Sequence, residues 1–274
     1  MRKLFSTAVV VCGLFMLSAF NDDPKSPEAL RYVNYSIFGK DYAKTPIYDS
    51  QLKGHVYYIV SGHGGPDPGA MFNKDGNWLC EDEYAYDVSL RMARNLITHG
   101  AKVYMVTRDE NDGIRDEEYL SPDKDETVWG GSGMPINQRA RLHQRSEAIN
   151  KLYHENKAKG YEVQRTIITH VDSRYEDHKI DVFFYYNPNS SSGQSLANTM
   201  YTTIKSEYDE HQKGRGYTGV VKSRDLWMLR ETIPTSVYIE LGNISNSFDQ
   251  RRLLIPNNRQ AIANWLADGI IKEG

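Results

Sequence analysis

Cysteine is nearly absent from this 274-residue chain. Only Cys12 and Cys80 occur, too few for a disulfide framework or a thiolate metal cluster. No excess of either charge stands out, with 33 basic and 36 acidic side chains. From residue 30 onward no stripe of Lys and Arg is interleaved with stacking aromatics, so no nucleic-acid partner is expected. Phosphate-binding loops, dinucleotide fingerprints and Gly-x-Ser-x-Gly elbows are missing too. Cys80 has no assigned His partner, which leaves nucleophilic Ser or Cys catalysis without support. Long apolar runs are confined to the first twenty residues.

Those twenty, MRKLFSTAVVVCGLFMLSAF, start with Arg2 and Lys3 and run apolar to Phe20. A short basic start before an apolar core is the form of an export signal. The alternative is a membrane anchor, since about 17 apolar residues are near the lower limit for spanning a bilayer. Export to the periplasm or cell envelope is the expectation, with membrane attachment through this segment as its variant. Cleavage would remove Cys12 and leave Cys80 without a partner. The remaining chain has ample aromatics, including 19 Tyr, and suits one sizeable domain.

Three parts are expected: a signal or anchor over 1–20, a polar N-terminal extension or linker with some irregular packing over 21–54, containing Pro24, Pro27 and Pro46, and a catalytic domain over 55–274. Within the last, β-branched and aromatic runs predict strands at 55–60, 102–107, 163–169, 180–186 and 236–241. Helical spacing predicts helices at 82–98, 137–159, 192–211 and 258–271. Residues 109–136 read as a long acidic loop with nine acidic and two basic side chains and the stretch GGSG. Its length predicts a functional or mobile role. Strands alternating with helices predict an α/β fold, a single domain whose mostly parallel or mixed sheet is flanked by helices on both faces.

Sites in such sheets lie beyond the carboxyl ends of strands. His63 stands there after HVYYIV, in the turn SGHGGPDPGA, and His170 stands there after EVQRTII. Glu81 begins the helix that follows the first of these strands, in the acidic cluster Glu81, Asp82, Glu83, which a helix dipole also favours. Glu240 lies inside the apolar strand SVYIEL, where a carboxylate is costly unless paired or bound to metal. A buried ion pair with Arg230 or Arg224 is its alternative. Taken together the four fit a zinc site: two neutral imidazoles and a carboxylate hold the ion, and a second carboxylate acts as base. The other histidines fall at strand starts, helix ends and surface positions.

At these residues the chain resembles the zinc-dependent N-acetylmuramoyl-L-alanine amidases of the Amidase_3 type, from about His55 to Ile271. IVSGHGGPDPGA matches the family's opening strand and turn. EDEYAYDVSLRMARNLITHGAKVYMVTR matches its second motif and aligns Glu81 with a metal ligand, with Glu83 as the competing acid. Arg145 to Asn150 echoes a helical R…AN segment. IITHVDS supplies His170, with Val171-Asp172 in place of the usual Ala-Asn. LRETIPTSVYIELGNISN supplies Arg230 and Glu240. The resemblance implies a six-stranded α/β sheet. It also implies Zn2+ on His63, Glu81 and His170, catalysis by Glu240 with Arg230, and peptidoglycan or muropeptide as substrate. The bond cut would be the amide between N-acetylmuramic acid and L-alanine. Two alternatives are a zinc peptidase acting on stem or other peptides, and a non-catalytic wall-binding protein on the same fold.

Overall fold

The structure, a computed structural model, describes residues 31–274. The segment expected to be an export signal or anchor lies outside them. Among the described residues no helix is long and apolar enough to cross a membrane.

Arg31–Asn34 (β1) and Lys44–Ile47 (β2) form an antiparallel hairpin, and His55–Ser61 (β3) enters the interior. Met71–Lys74 (β4) and Asn77–Cys80 (β5) make a second hairpin that leads into the helix Glu81–Thr98 (α1). Lys102–Met105 (β6) is followed by three two-residue strands, Thr107–Arg108 (β7), Thr127–Val128 (β8) and Ser132–Gly133 (β9), and by the helix Gln138–Ala158 (α2). Then come Val163–Asp172 (β10), Phe183–Tyr186 (β11), the helix Ser191–His211 (α3), Val220–Ser223 (β12) and the short helix Trp227–Glu231 (α4). Thr235–Asn243 (β13), Ser247–Leu254 (α5) and Pro256–Glu273 (α6) complete the chain.

Six strands build the central sheet in the order β12-β11-β13-β10-β3-β6. β6, β3, β10 and β13 run parallel, β11 is antiparallel to β13, and β12 is parallel to β11. The sheet is therefore mixed, as expected. Both of its faces are covered, so the central strands are apolar nearly throughout. Alternate side chains face opposite ways. Tyr57, Ile59, Ile167, Val237 and Ile239 pack with the cluster of α1, α3 and α6. Val56, Tyr58, Val60, Ile168 and Tyr238 pack with the cluster of α2 and α4.

Three expectations need correction. From residue 31 the predicted linker is packed, with Phe38, Thr45 and Leu52 fully buried. Prolines and polar residues dominate the reading of this stretch, while the apolar residues of RYVNYSIF and Leu52 carry the packing. The C-terminal helix begins at Pro256, not near 258, and α5 precedes it; Asn246 caps α5 and Pro256 opens α6 at a position that needs no N–H. The acidic segment 109–136 is not loop throughout. It contains β8 and β9, and it buries Ile114, Leu120 and Val128.

Candidate metal centre and catalytic cleft

The parallel strands β3 and β10 end side by side, with Thr169 opposite Ser61. That register sets Gly62 beside His170, and Gly62 N–H donates to the Thr169 carbonyl at 2.7 Å. A Cβ on Gly62 would lie 2.1 Å from His170 Cε1, so only glycine leaves room for the ring. On its other side the His170 ring stacks on Tyr238, with centroids 4.3 Å apart and planes 15° apart. The backbone turns sharply at His63, which takes a left-handed φ of 62°. Such a conformation is uncommon for a residue with a Cβ and is retained only where the surroundings impose it. Gly69, at φ 68°, closes the turn against the first ligand candidates, for a Cβ there would meet Glu81 Oε2 at 2.6 Å and His63 Cγ at 2.7 Å.

Glu81 is the first residue of α1 and reaches both histidines. Its Oε2 lies 3.3 Å from His63 Nε2, and its Oε1 lies 2.7 Å from His170 Nδ1. Its oxygens also accept from Ala70 N–H at 2.8 Å and Val171 N–H at 3.0 Å. Burial alone would push the carboxyl up, but these partners hold it below its ordinary range. Burial pushes His170 down, towards the neutral imidazole. Asp67 Oδ2 sits 3.0 Å from His63 Nδ1, which places the proton on Nδ1 and leaves the Nε2 lone pair facing Glu81. Donor atoms of His63, Glu81 and His170 lie within 4.8 Å of one another. A neutral imidazole, an ionised carboxylate and a carboxylate-oriented histidine are what a divalent metal with nitrogen and oxygen ligands requires. The residues fit the expected ion.

Glu83 takes no part in this grouping. It bonds Arg115 Nη2 at 2.7 Å and Asp123 N–H at 3.1 Å, and burial pushes it up to about 7.

Glu240 stands opposite His170 in the β10–β13 register, on the same face of the sheet. Burial, then the charges of Glu81 and Asp172, push its carboxyl well above the ordinary range. Its Oε2 is buried without a hydrogen-bond partner. Neither Arg230 nor Arg224 forms an ion pair with it. Arg230 lies on α4, exposed, and pairs with Asp225 and Glu231. Its guanidinium stands 5.7 Å from the Trp227 ring centroid. The structure thus brings together His63, Glu81 and His170, sets Glu240 beside the last of them, and leaves Arg230 outside.

Beside the three ligand candidates opens a cavity of about 190 Å3, lined by His63, His170, Tyr238, Trp227, Arg141 and Arg145 among others. Glu240 is not part of its lining. Arg141 bonds Asp67, and Arg145 bonds the His63 carbonyl. Burial and the neighbouring Arg141 lower the Arg145 guanidinium to about 10, so it stays charged at neutral pH. Sequence reasoning missed Asp67, Arg141, Tyr238 and Trp227. Asp67 had a signal, since it lies four residues after His63 in the same glycine-rich turn. The free Cys80 is buried, and burial with the charges of Asp82 and Glu83 pushes its thiol up to about 12, which disqualifies it as a nucleophile.

The family described as N-acetylmuramoyl-L-alanine amidase, Amidase_3, matches residues 58–272. No curated protein matches the chain. Among solved structures, the N-acetylmuramoyl-L-alanine amidase AmiC2 of Nostoc punctiforme is 20% identical, covers 80% of this chain and 96% of its own, and superposes with a TM-score of 0.54. The CwlD amidase from Clostridioides difficile, solved in complex with the GerS lipoprotein, is 18% identical over 80% of this chain and 98% of its own, with a TM-score of 0.57. The amidase Ami1 from Mycobacterium smegmatis is 14% identical over 81% and 97%, with a TM-score of 0.54. At these identities the structural likeness is one of fold.

Proposed function

The chain belongs to the N-acetylmuramoyl-L-alanine amidase family, whose members hydrolyse the amide joining N-acetylmuramic acid to L-alanine in peptidoglycan, and we propose that it does so with a zinc ion held by His63, Glu81 and His170. The observation that carries this reading is the register His170 to Glu240. It sets a carboxylate with a free oxygen beside three converged donors, on strands about 4.8 Å apart.

When bound there, zinc supplies Lewis-acid polarisation of the scissile carbonyl and a water of lowered pKa. Glu240 Oε2 takes the proton of the attacking water and returns it to the nitrogen of the departing L-alanine. Its surroundings favour the protonated form, which suits the second of these transfers. Asp67 fixes the His63 tautomer. Arg145 ties the His63 carbonyl to α2 and presents positive charge to the cavity wall. Trp227 and Tyr238 give the cavity flat apolar walls on which a sugar ring and the alanine methyl can pack. Arg230 serves at the outer edge of Trp227 as a contact for the glycan or stem peptide, since its own ion pairs keep it from Glu240. Export to the cell envelope, through residues 1–20, would bring the enzyme to this substrate.

Digestion of purified peptidoglycan, with product masses determined with and without chelator, tests the proposal. Expected products are stem peptides with a free L-alanine amine and glycan strands with unsubstituted lactyl groups. Cleavage within the stem would identify a peptidase. Full activity after metal removal would overturn the metal assignment.

A further inference from the structure

Three further carboxylates meet in the interior, apart from the grouping around Glu81. Asp82, Glu83 and Glu126 are all buried, and they bring oxygens within 4.8 Å of one another. Two belong to the first turn of α1. Glu126 belongs to the acidic segment, immediately before β8. Asp82 is only 3% exposed, and its Oδ2 is buried with no hydrogen-bond partner. Its Oδ1 accepts from Glu83 N–H at 3.0 Å. Glu126 Oε2 accepts from Gly65 N–H at 2.7 Å, in the turn that carries His63. Among the described residues one cation pairs with the trio, Arg115, and it does so through Glu83 alone.

Three buried carboxylates facing one guanidinium are short of positive charge. An orphaned buried carboxylate oxygen is among the most costly groups in a protein interior. Each oxygen of Glu83 already accepts one hydrogen bond, yet a carboxylate has about four lone-pair sites, so all three residues keep capacity for a further partner. The donor set is oxygen only. It lacks the nitrogen and sulfur ligands that favour zinc, and it suits a hard cation. Calcium tolerates irregular ligand arrangements and adds backbone carbonyls readily. Magnesium demands near-octahedral geometry and retains several waters, for which a buried cluster has little room.

We propose that Asp82, Glu83 and Glu126 form a second metal site, specific for calcium, which fastens the acidic segment 109–136 to α1 and to the turn bearing His63. The site would act as a structural clamp. Its occupancy would fix Glu126 and, through Gly65, the turn that positions the first candidate zinc ligand.

The full chain, with its zinc content counted separately by elemental analysis, is titrated with calcium chloride and then with magnesium chloride in a calorimeter. Thermal unfolding is followed in parallel. The wild type should bind one calcium per chain and unfold at a temperature several degrees higher in its presence. Asp82→Asn and Glu126→Gln should each weaken calcium binding at least tenfold. Metal-free Asp82→Asn should be at least as stable as metal-free wild type, because an amide at the position of the unpartnered Oδ2 can donate to the neighbouring carboxylates. Absence of saturable calcium binding to the wild type overturns the proposal, whatever becomes of the variants. So does calcium affinity unchanged in both variants. Saturation by magnesium without a response to calcium overturns the choice of ion. Because zinc is counted independently, none of these outcomes depends on the assignment of His63, Glu81 and His170.

Discussion

Replacing Gly62 with alanine should dismantle the proposed zinc site by adding one methyl group. The new Cβ would lie 2.1 Å from His170 Cε1, 2.3 Å from Nδ1 and 2.4 Å from Nε2, whereas ordinary contacts begin near 3.4 Å. The imidazole must therefore retreat by about 1 Å or more. Retreat is blocked on the far side, where the ring already stacks on Tyr238 at 4.3 Å. It must instead swing out of the plane between them, which breaks its 2.7 Å contact with Glu81. Metal–ligand distances tolerate about 0.2 Å, so a shift of this size removes a ligand. Changes that merely disturb a ligand's supporting partner cost about 10–100-fold in metal affinity, and loss of the ligand itself should cost at least about 100-fold, or ~2.7 kcal/mol. The backbone raises no objection, since Gly62 is not among the left-handed residues. The metal-free variant should therefore fold, with overpacking costing about 1–3 kcal/mol. Zinc retention against a competing chelator measures the affinity, and the unfolding temperature of the metal-free protein measures the fold. Gly133→Ala is the control, because a Cβ there meets nothing within 4 Å. A Gly62→Ala protein that holds zinc as tightly as the wild type would refute both the ligand role of His170 and the steric reasoning behind it.

Other expectations are equally direct. Glu240→Gln should keep fold and zinc content but lower kcat by about 10²–10⁴, read as turnover of a defined muropeptide; near wild-type turnover would place the base elsewhere. Asp67→Asn should weaken zinc binding by about 10–100-fold, because Nδ1 of His63 loses its carboxylate partner. The Asp67 carboxyl is held well below its ordinary range, chiefly by His63. In metal-free protein its contribution to stability is thus present above about pH 4 and lost as pH falls towards its folded-state value, so the gap in unfolding temperature between wild type and Asp67→Asn should close on acidification. Asp172→Asn should move the acid limb of the kcat/KM profile to lower pH, since the Asp172 charge helps to raise Glu240. Arg174 already neutralises Asp172 at 2.5 Å, so the displacement should stay below about one pH unit. A shift in the opposite direction would show that another group sets that limb.

Much of the site was legible because its residues sit where periodicity changes. His63 and His170 follow apolar strand runs, and Glu81 stands where alternation gives way to the helical spacing of α1. Glu240 was conspicuous as a charge within an apolar strand. Residues of α2 were harder to assign. The helix is polar on nearly every face, and the face it turns towards the cavity carries Arg145, which only the resemblance singled out, and Arg141, which reads as an ordinary solvated side chain until its partner is known. The 21–54 stretch reads as a linker because it is polar and contains three prolines, although Phe38 and Leu52 within it are buried. Both are held by contacts across the chain: Gly39 and Gly113 approach backbone to backbone, Ile114 N–H donates to the Phe38 carbonyl at 3.1 Å, and Leu52 N–H donates to the His99 carbonyl at 2.8 Å. No local pattern encodes such a contact.

The same non-local dependence governs the candidate metal centre itself. The left-handed turn at His63 costs about 1 kcal/mol or more for a residue with a Cβ. Three groups from remote parts of the chain hold it in place: Arg145 on the His63 carbonyl, Arg141 on Asp67, and Glu126 on Gly65 N–H. Each lies more than sixty residues away in sequence, on α2 or in the acidic segment. The ligand geometry is thus completed only when α2 and the acidic segment have docked. Arg91 and Arg259 tie down the segment's 115–117 stretch, whereas its Glu126 end faces Asp82 and Glu83 with Arg115 alone to offset them among the described residues. A chain with an intact sheet can therefore still lack a competent turn, and metal affinity should fall more steeply than overall stability when contacts of the acidic segment are removed.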